Sequence, residues 1–157
     1  MGAAISPFNS FQILQGIETL PVRMDRHCEN ALAVAKHLQS HEQIEWGRYA
    51  GLDDSPDKAL VDKYMNGCAS SILSFGIKGG IAAGTKFIDA LQLAVRLVNI
   101  GDAKTLACHP ATTTHRQLNP EEMERAGVSE DLVRLSVGLE HIDDILADID
   151  QALAAAK

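Results

Sequence analysis

The stretch from Leu132 to Ala156 constrains the fold most. Val133, Leu135, Val137 and Leu139 fall on one side of an extended segment, and Leu132, Arg134, Ser136 and Gly138 on the other. This period of two marks a half-buried strand. Gly138 is read as a turn. Beyond it Ile142, Ile145, Leu146, Ile149, Ala152 and Leu153 recur at helical spacing, with Asp143, Asp144, Asp148 and Asp150 assigned to the wet side. One sheet face therefore lies under a helix layer, and Arg134 points away from it. An arginine in mid-strand carries a permanent charge and a planar fork that fits a carboxylate or phosphate. Spacing alone leaves two readings open, a solvated cation and an anion clamp.

Upstream, Ser6-Pro7 opens a helix. Phe11, Leu14, Ile17 and Leu20 recur every three residues, Pro21 interrupts, and Met24, Cys28, Ala31, Leu32, Ala35 and Leu38 resume the stripe. Residues 1–40 are read as a bent connecting helix, and 41–157 as the α/β domain proper. Short strands are expected at Ile44 to Tyr49, Ser71 to Lys78 and Thr105 to Cys108. Helices are expected at Lys58 to Met65 (Leu60, Val61 and Tyr64 inward), at Thr85 to Val98 (Ile88, Leu91, Val95 and Val98 inward), and from Asn119-Pro120 to about Gly127. The polar stretch His109 to Gln117 is read as a loop. Continuous apolar runs of a parallel sheet are scarce. The fold class is α+β, a small and mostly antiparallel sheet with helices on one face.

A chain of 157 residues that is 46% hydrophobic has enough material for a real core. The net charge of -7 argues against a general nucleic-acid surface. No apolar run reaches membrane-spanning length, and no secretory signal is visible. Cys28, Cys68 and Cys108 are widely spaced and odd in number, and are read as reduced thiols in a cytoplasmic protein. Cys108-His109 and His115 lack a second ligand pair, and the aspartates of the last helix lack a glycine-containing loop, so no metal site is expected. Gly79-Gly80 is not followed by the residues of a phosphate loop, and no catalytic constellation stands out.

Several longer stretches carry a resemblance: SPFNSFQILQGIETLPVRMDRHCENALAVAKHL, SFGIKGG, NIGDAKTLACHPATTTHRQLNPEE and GVSEDLVRLSVGLEHIDDILADIDQAL. They resemble the C-terminal part of the pyridoxal-phosphate-dependent Cys/Met metabolism enzymes. Within these they are most like the branch that replaces the acetate of O-acetylhomoserine with sulfide or methanethiol. Methionine gamma-lyases and cystathionine gamma-synthases are more distant. The resemblance implies the C-terminal domain of a fold-type I, aspartate-aminotransferase-like enzyme. It implies that Arg134 binds the α-carboxylate of a small amino-acid substrate, with Asn99 beside it and Thr105 and the His109 to His115 loop bordering the site. The family's Ser-x-Thr-Lys cofactor lysine has no counterpart here. Lys36, Lys58, Lys63, Lys78, Lys86, Lys104 and Lys157 lie in other contexts. The resemblance thus implies a chain without the N-terminal cofactor domain, inactive alone, with that domain as partner and a homo-oligomer as the full assembly. A stand-alone binding or assembly module is the competing expectation, motivated by the apolar stripe Phe11 to Leu20.

Overall fold

The computed structural model describes residues 2–157. Five strands form one sheet in the order β1-β2-β5-β4-β3. They are β1 (Ile44–Arg48), β2 (Ile72–Ile77), β3 (Val95–Arg96), β4 (Leu106–Cys108) and β5 (Leu132–Ser136). All neighbours run antiparallel except β3 with β4. The helices are α1 (Pro7–Glu18), α2 (Leu20–Gln39), α3 (Lys58–Tyr64), α4 (Gly80–Ala90), α5 (Pro120–Arg125) and α6 (Ile142–Ala155). Pleating sends Leu73, Phe75 and Ile77 of β2 and Val133 and Leu135 of β5 to the same side, where all five are buried. There they meet Val34 and Leu38 of α2, Phe87 of α4, and Ile145, Ile149 and Leu153 of α6. The Phe75 and Phe87 rings pack edge to face, centroids 5.7 Å apart. Burial of each large side chain contributes about 1.5–3 kcal/mol. A mostly antiparallel sheet covered on one face is the architecture expected from the strand and helix periods.

Local departures have identifiable causes. The helix expected over Thr85 to Val98 stops at Ala90. The Asp148 carboxylate on α6 accepts the backbone N–H groups of Gln92, Leu93 and Ala94 at 2.8, 3.1 and 2.9 Å. Those donors are thereby lost to a continuing helix. The chain then extends, and Val95 N–H and Leu97 N–H donate to the carbonyls of Thr105 and Ala107. Val95 and Val98 are exposed as a result. Asp148 itself is only 6% exposed, not on the wet side with Asp143, Asp144 and Asp150. In α3 only Val61 turns inward, while Leu60 and Tyr64 are exposed. Gly138 is needed less for a turn than for contact. A Cβ there would stand 2.5 Å from both the Lys104 carbonyl carbon and the Thr105 nitrogen.

The bent helix expected over residues 1–40 is, among the described residues, two helices that break at Thr19, with Pro21 in the first turn of α2. Their roles differ. No residue of α1 is buried, whereas α2 buries six between His27 and Leu38 and forms one wall of the core. Cys28 of α2 and Cys68, just ahead of β2, form a disulfide, so the expectation of reduced thiols holds only for the buried Cys108. The helical spacing that put Cys28 on the stripe of α2 carries no information about a residue 40 positions away.

Two outcomes are expected. Asp148→Ala leaves three backbone donors without an acceptor and should lower unfolding free energy by about 3 kcal/mol in urea titration. Closing a loop of 40 residues restricts the unfolded chain, so Cys28→Ser should cost about 4 kcal/mol under non-reducing conditions and nothing in dithiothreitol.

Candidate anion site on the open sheet face

The face of the sheet opposite the helices carries a row of four residues in register. Arg48 of β1 pairs with Ser74 of β2, Ser74 with Arg134 of β5, and Arg134 with Cys108 of β4. Directly opposed residues on antiparallel strands share a face, so all four side chains project the same way. Arg134 is half-buried in the middle of the row. Its Nη2 donates to the Asn99 carbonyl oxygen at 3.3 Å. Among the described residues no carboxylate lies within ion-pair distance of it. The Asn99 carbonyl takes one donor of the fork, and no carboxylate competes for the charge, which an incoming carboxylate could engage through the remaining N–H groups.

Cys108 lies against this guanidinium. Burial pushes its thiol pKa up, and the charge of Arg134 and a hydrogen bond from it act in the opposite direction. A cavity of about 380 Å³ opens beside Cys108, lined by that residue with Arg96, Leu97, Val98 and Thr113. Asn99 contributes through its backbone. Its side-chain oxygen accepts the N–H of Ile100 at 2.9 Å, which leaves the carbonyl to orient Arg134. The position of that carbonyl follows from β3, and β3 from the grip of Asp148 on residues 92–94.

Thr105 is placed elsewhere. It is 1% exposed, and its N–H and hydroxyl donate to the two Glu140 carboxylate oxygens at 2.7 and 2.9 Å. Its oxygen also accepts the Gly138 N–H at 2.9 Å. Asn30 Nδ2 donates to the carbonyls of Gly138 and Glu140, and His27 Nδ1 donates to that of Val137. This network ties the end of β5 to α2 and to the start of β4. The structure therefore brings Arg134 and Asn99 together and commits Thr105 to the scaffold. His109 is also internal. Its Nε2 donates to the Glu130 carbonyl at 2.8 Å, and its ring lies against Gly84, where a Cβ would be 2.5 Å away. His115 meets Thr114 on the surface loop. Among the described residues no three metal-ligating side chains converge.

Sequence reading missed Cys108, Glu140 and Asp148. Only Asp148 left a usable signal. It stands three residues after Ile145 and four before Ala152, both core positions, so it shares their helix face.

The helix-backed sheet thus presents on its open face an arginine that the Asn99 carbonyl orients and that has no carboxylate partner among the described residues. The chain belongs to the family described as Cys/Met metabolism PLP-dependent enzymes, whose model matches residues 1–154. It is 56% identical to an O-acetyl-L-homoserine sulfhydrylase of Leptospira meyeri over 98% of its own length and 35% of that protein's. It is 47% identical to an L-methionine gamma-lyase of Pseudomonas deceptionensis, over 98% of this chain and 38% of that one. Among solved structures, an O-acetylhomoserine (thiol)-lyase of Campylobacter jejuni containing a pyridoxyl-lysine monophosphate superposes with a TM-score of 0.88. The identity there is 42%, over 98% of this chain and 36% of that one. The chain thus spans about a third of the length of the curated relatives it matches.

The family depends on pyridoxal phosphate. The residues of this chain do not fit the cofactor's covalent anchor. Six of the seven lysines are exposed, and Lys58 is spent on Asp62 one helical turn away. No lysine lines the cavity beside Cys108.

Thr105→Val removes one donor and one acceptor from the buried network. It should lower stability by about 2 kcal/mol in chemical denaturation. In the complete enzyme the KM for the amino-acid substrate should stay near its original value once that loss is allowed for.

Proposed function

We propose that this chain forms the substrate-carboxylate side of an O-acetylhomoserine sulfhydrylase. The enzyme replaces the acetate of O-acetylhomoserine with sulfide to make homocysteine, or with methanethiol to make methionine. The observation that carries the reading is the half-buried Arg134 guanidinium, oriented by the Asn99 carbonyl and free of any carboxylate partner among the described residues. The 56% identity to the Leptospira meyeri sulfhydrylase supports the choice of reaction. The arginine fork fixes the substrate's α-carboxylate and so aims its side chain. The pyridoxal phosphate anchor lies outside these residues. The working unit on this reading pairs the chain with a cofactor-bearing domain, within a cytoplasmic homo-oligomer. Residues 1–40 act as the connector to that domain, and 41–157 as the substrate domain.

The methionine gamma-lyase and cystathionine gamma-synthase reactions are the neighbouring enzymatic readings, since the same carboxylate clamp serves any amino-acid substrate. A non-catalytic assembly module is a second reading. It is favoured by the exposure of Phe8, Phe11, Leu14 and Ile17 along α1, at 67, 59, 56 and 59%.

In the complete enzyme, Arg134→Lys should raise the KM for O-acetylhomoserine by about tenfold or more, because an ammonium cannot reproduce the two-pronged contact. Steady-state kinetics with each sulfur donor measures this. An unchanged KM would exclude Arg134 as the clamp.

A further inference from the structure

A second concavity on the same sheet face is built around the other arginine of the cross-strand row. Its volume is about 580 Å³, within the range of small-molecule sites, and it lies between β1 and the segment that carries α5. Arg48 stands two strands from Arg134, about 10 Å at normal strand spacing. Arg48 is held in place. Its guanidinium sits over the Trp46 ring, 5.4 Å from the centroid. The indole is fixed in turn, because Trp46 Nε1 donates to Asp131 Oδ2 at 2.7 Å. Gly76 makes this possible, since a Cβ there would collide with the Trp46 ring and the Asp131 carboxylate. The opposite wall is positioned by the capping box of Asn119 and Glu122 at the start of α5, and by His109 bonding the Glu130 carbonyl.

The lining carries a definite chemistry. Trp46, Met123 and Val128 supply an apolar wall, Arg48 one positive charge, and Glu124 and Glu130 two negative ones. Among the described residues none of these three charged side chains takes part in an ion pair. Unpaired charges of both signs around one apolar cavity match a zwitterion with an apolar tail. We infer that this cavity is a binding site for a free α-amino acid with an unbranched apolar or thioether side chain. Arg48 takes its carboxylate, Glu124 or Glu130 its ammonium, and the Trp46–Met123–Val128 wall its side chain. The inference stands on residues other than Arg134 and does not depend on the proposed reaction.

Trp46 is the one tryptophan of the chain, so its fluorescence reports from the wall of the cavity. The test titrates the purified chain with L-norleucine, and separately with hexanoate and hexylamine, which each keep only one of the two charges. Isothermal titration calorimetry runs in parallel. The expected result is a saturable response to L-norleucine in the millimolar range, with much weaker responses to the two single-charge probes. By calorimetry Arg48→Gln should weaken binding by about tenfold or more, since a charge-assisted bond is lost. Met123→Gln should weaken it less, and in Arg134→Ala the saturable response of Trp46 fluorescence, which reports on this cavity alone, should persist. No saturable response would overturn the inference, as would equal responses to all three probes. So would binding that survives Arg48→Gln but disappears in Arg134→Ala, which would place the amino acid at the carboxylate clamp instead.

Discussion

Strand β5 presses Val133 and Leu135 into the helix layer, and strand pleating leaves Arg134 no face but the open one. Burial of those side chains and their neighbours on β2 is worth many times the cost of leaving one arginine half-exposed. A slip of one residue in the β2–β5 register would turn Arg134 into the core and bring the valines out. The hydrophobic core is therefore also what aims the charge. The same pairing aligns Ser74 and Cys108 on either side of Arg134 and puts Arg48 at the end of the row.

The fine position of the proposed clamp depends on a buried carboxylate at some distance from it. Asp148 has its carboxylate saturated by backbone donors and by the Gln151 amide. By ending α4 early, it releases the segment that becomes β3 and the loop holding Asn99. A helix carried on to Val98 would leave no strand to pair with β4. The Glu140–Thr105–Gly138 network does the matching work at the far end of β4, where two backbones approach closely enough to require glycine. Core packing, these two carboxylates and the open-face arginines thus act at three levels: the layer, the loop and the contact with an anion.

The two arginines illustrate different ways of readying a cation. Arg134 is oriented by a carbonyl and by its burial between strands, and Arg48 by stacking on an indole that is itself anchored. In both cases other groups have already restricted the side chain, so less freedom is lost when an anion binds. Their surroundings differ. The cavity beside Cys108, the cross-strand neighbour of Arg134, has no acidic lining residue, while that lined by Arg48 has two.

Much was legible in the sequence because it is carried by local period. The alternation in β2 and β5, the stripe of α6, the capping residues of α1 and α5 and the outward direction of Arg134 all follow from neighbours a few positions apart. The motifs around Arg134 and Asn99 were enough to recognise the family. What the sequence could not express is pairing over long separations. The stripe from Ile88 to Val98 is a sound helical pattern, and it yields only because Asp148, over fifty residues later, takes its backbone donors. Cys28 and Cys68 meet for the same kind of reason, and so do Trp46 and Asp131. The resemblance put Asn99 beside the carboxylate and Thr105 at the border of the site, and the tertiary structure gives the Thr105 hydroxyl to Glu140 and the Asn99 carbonyl to Arg134. Periodicity determines which face of each element is apolar. Which polar groups find one another depends on how those faces are stacked, and that is decided only when the whole core closes.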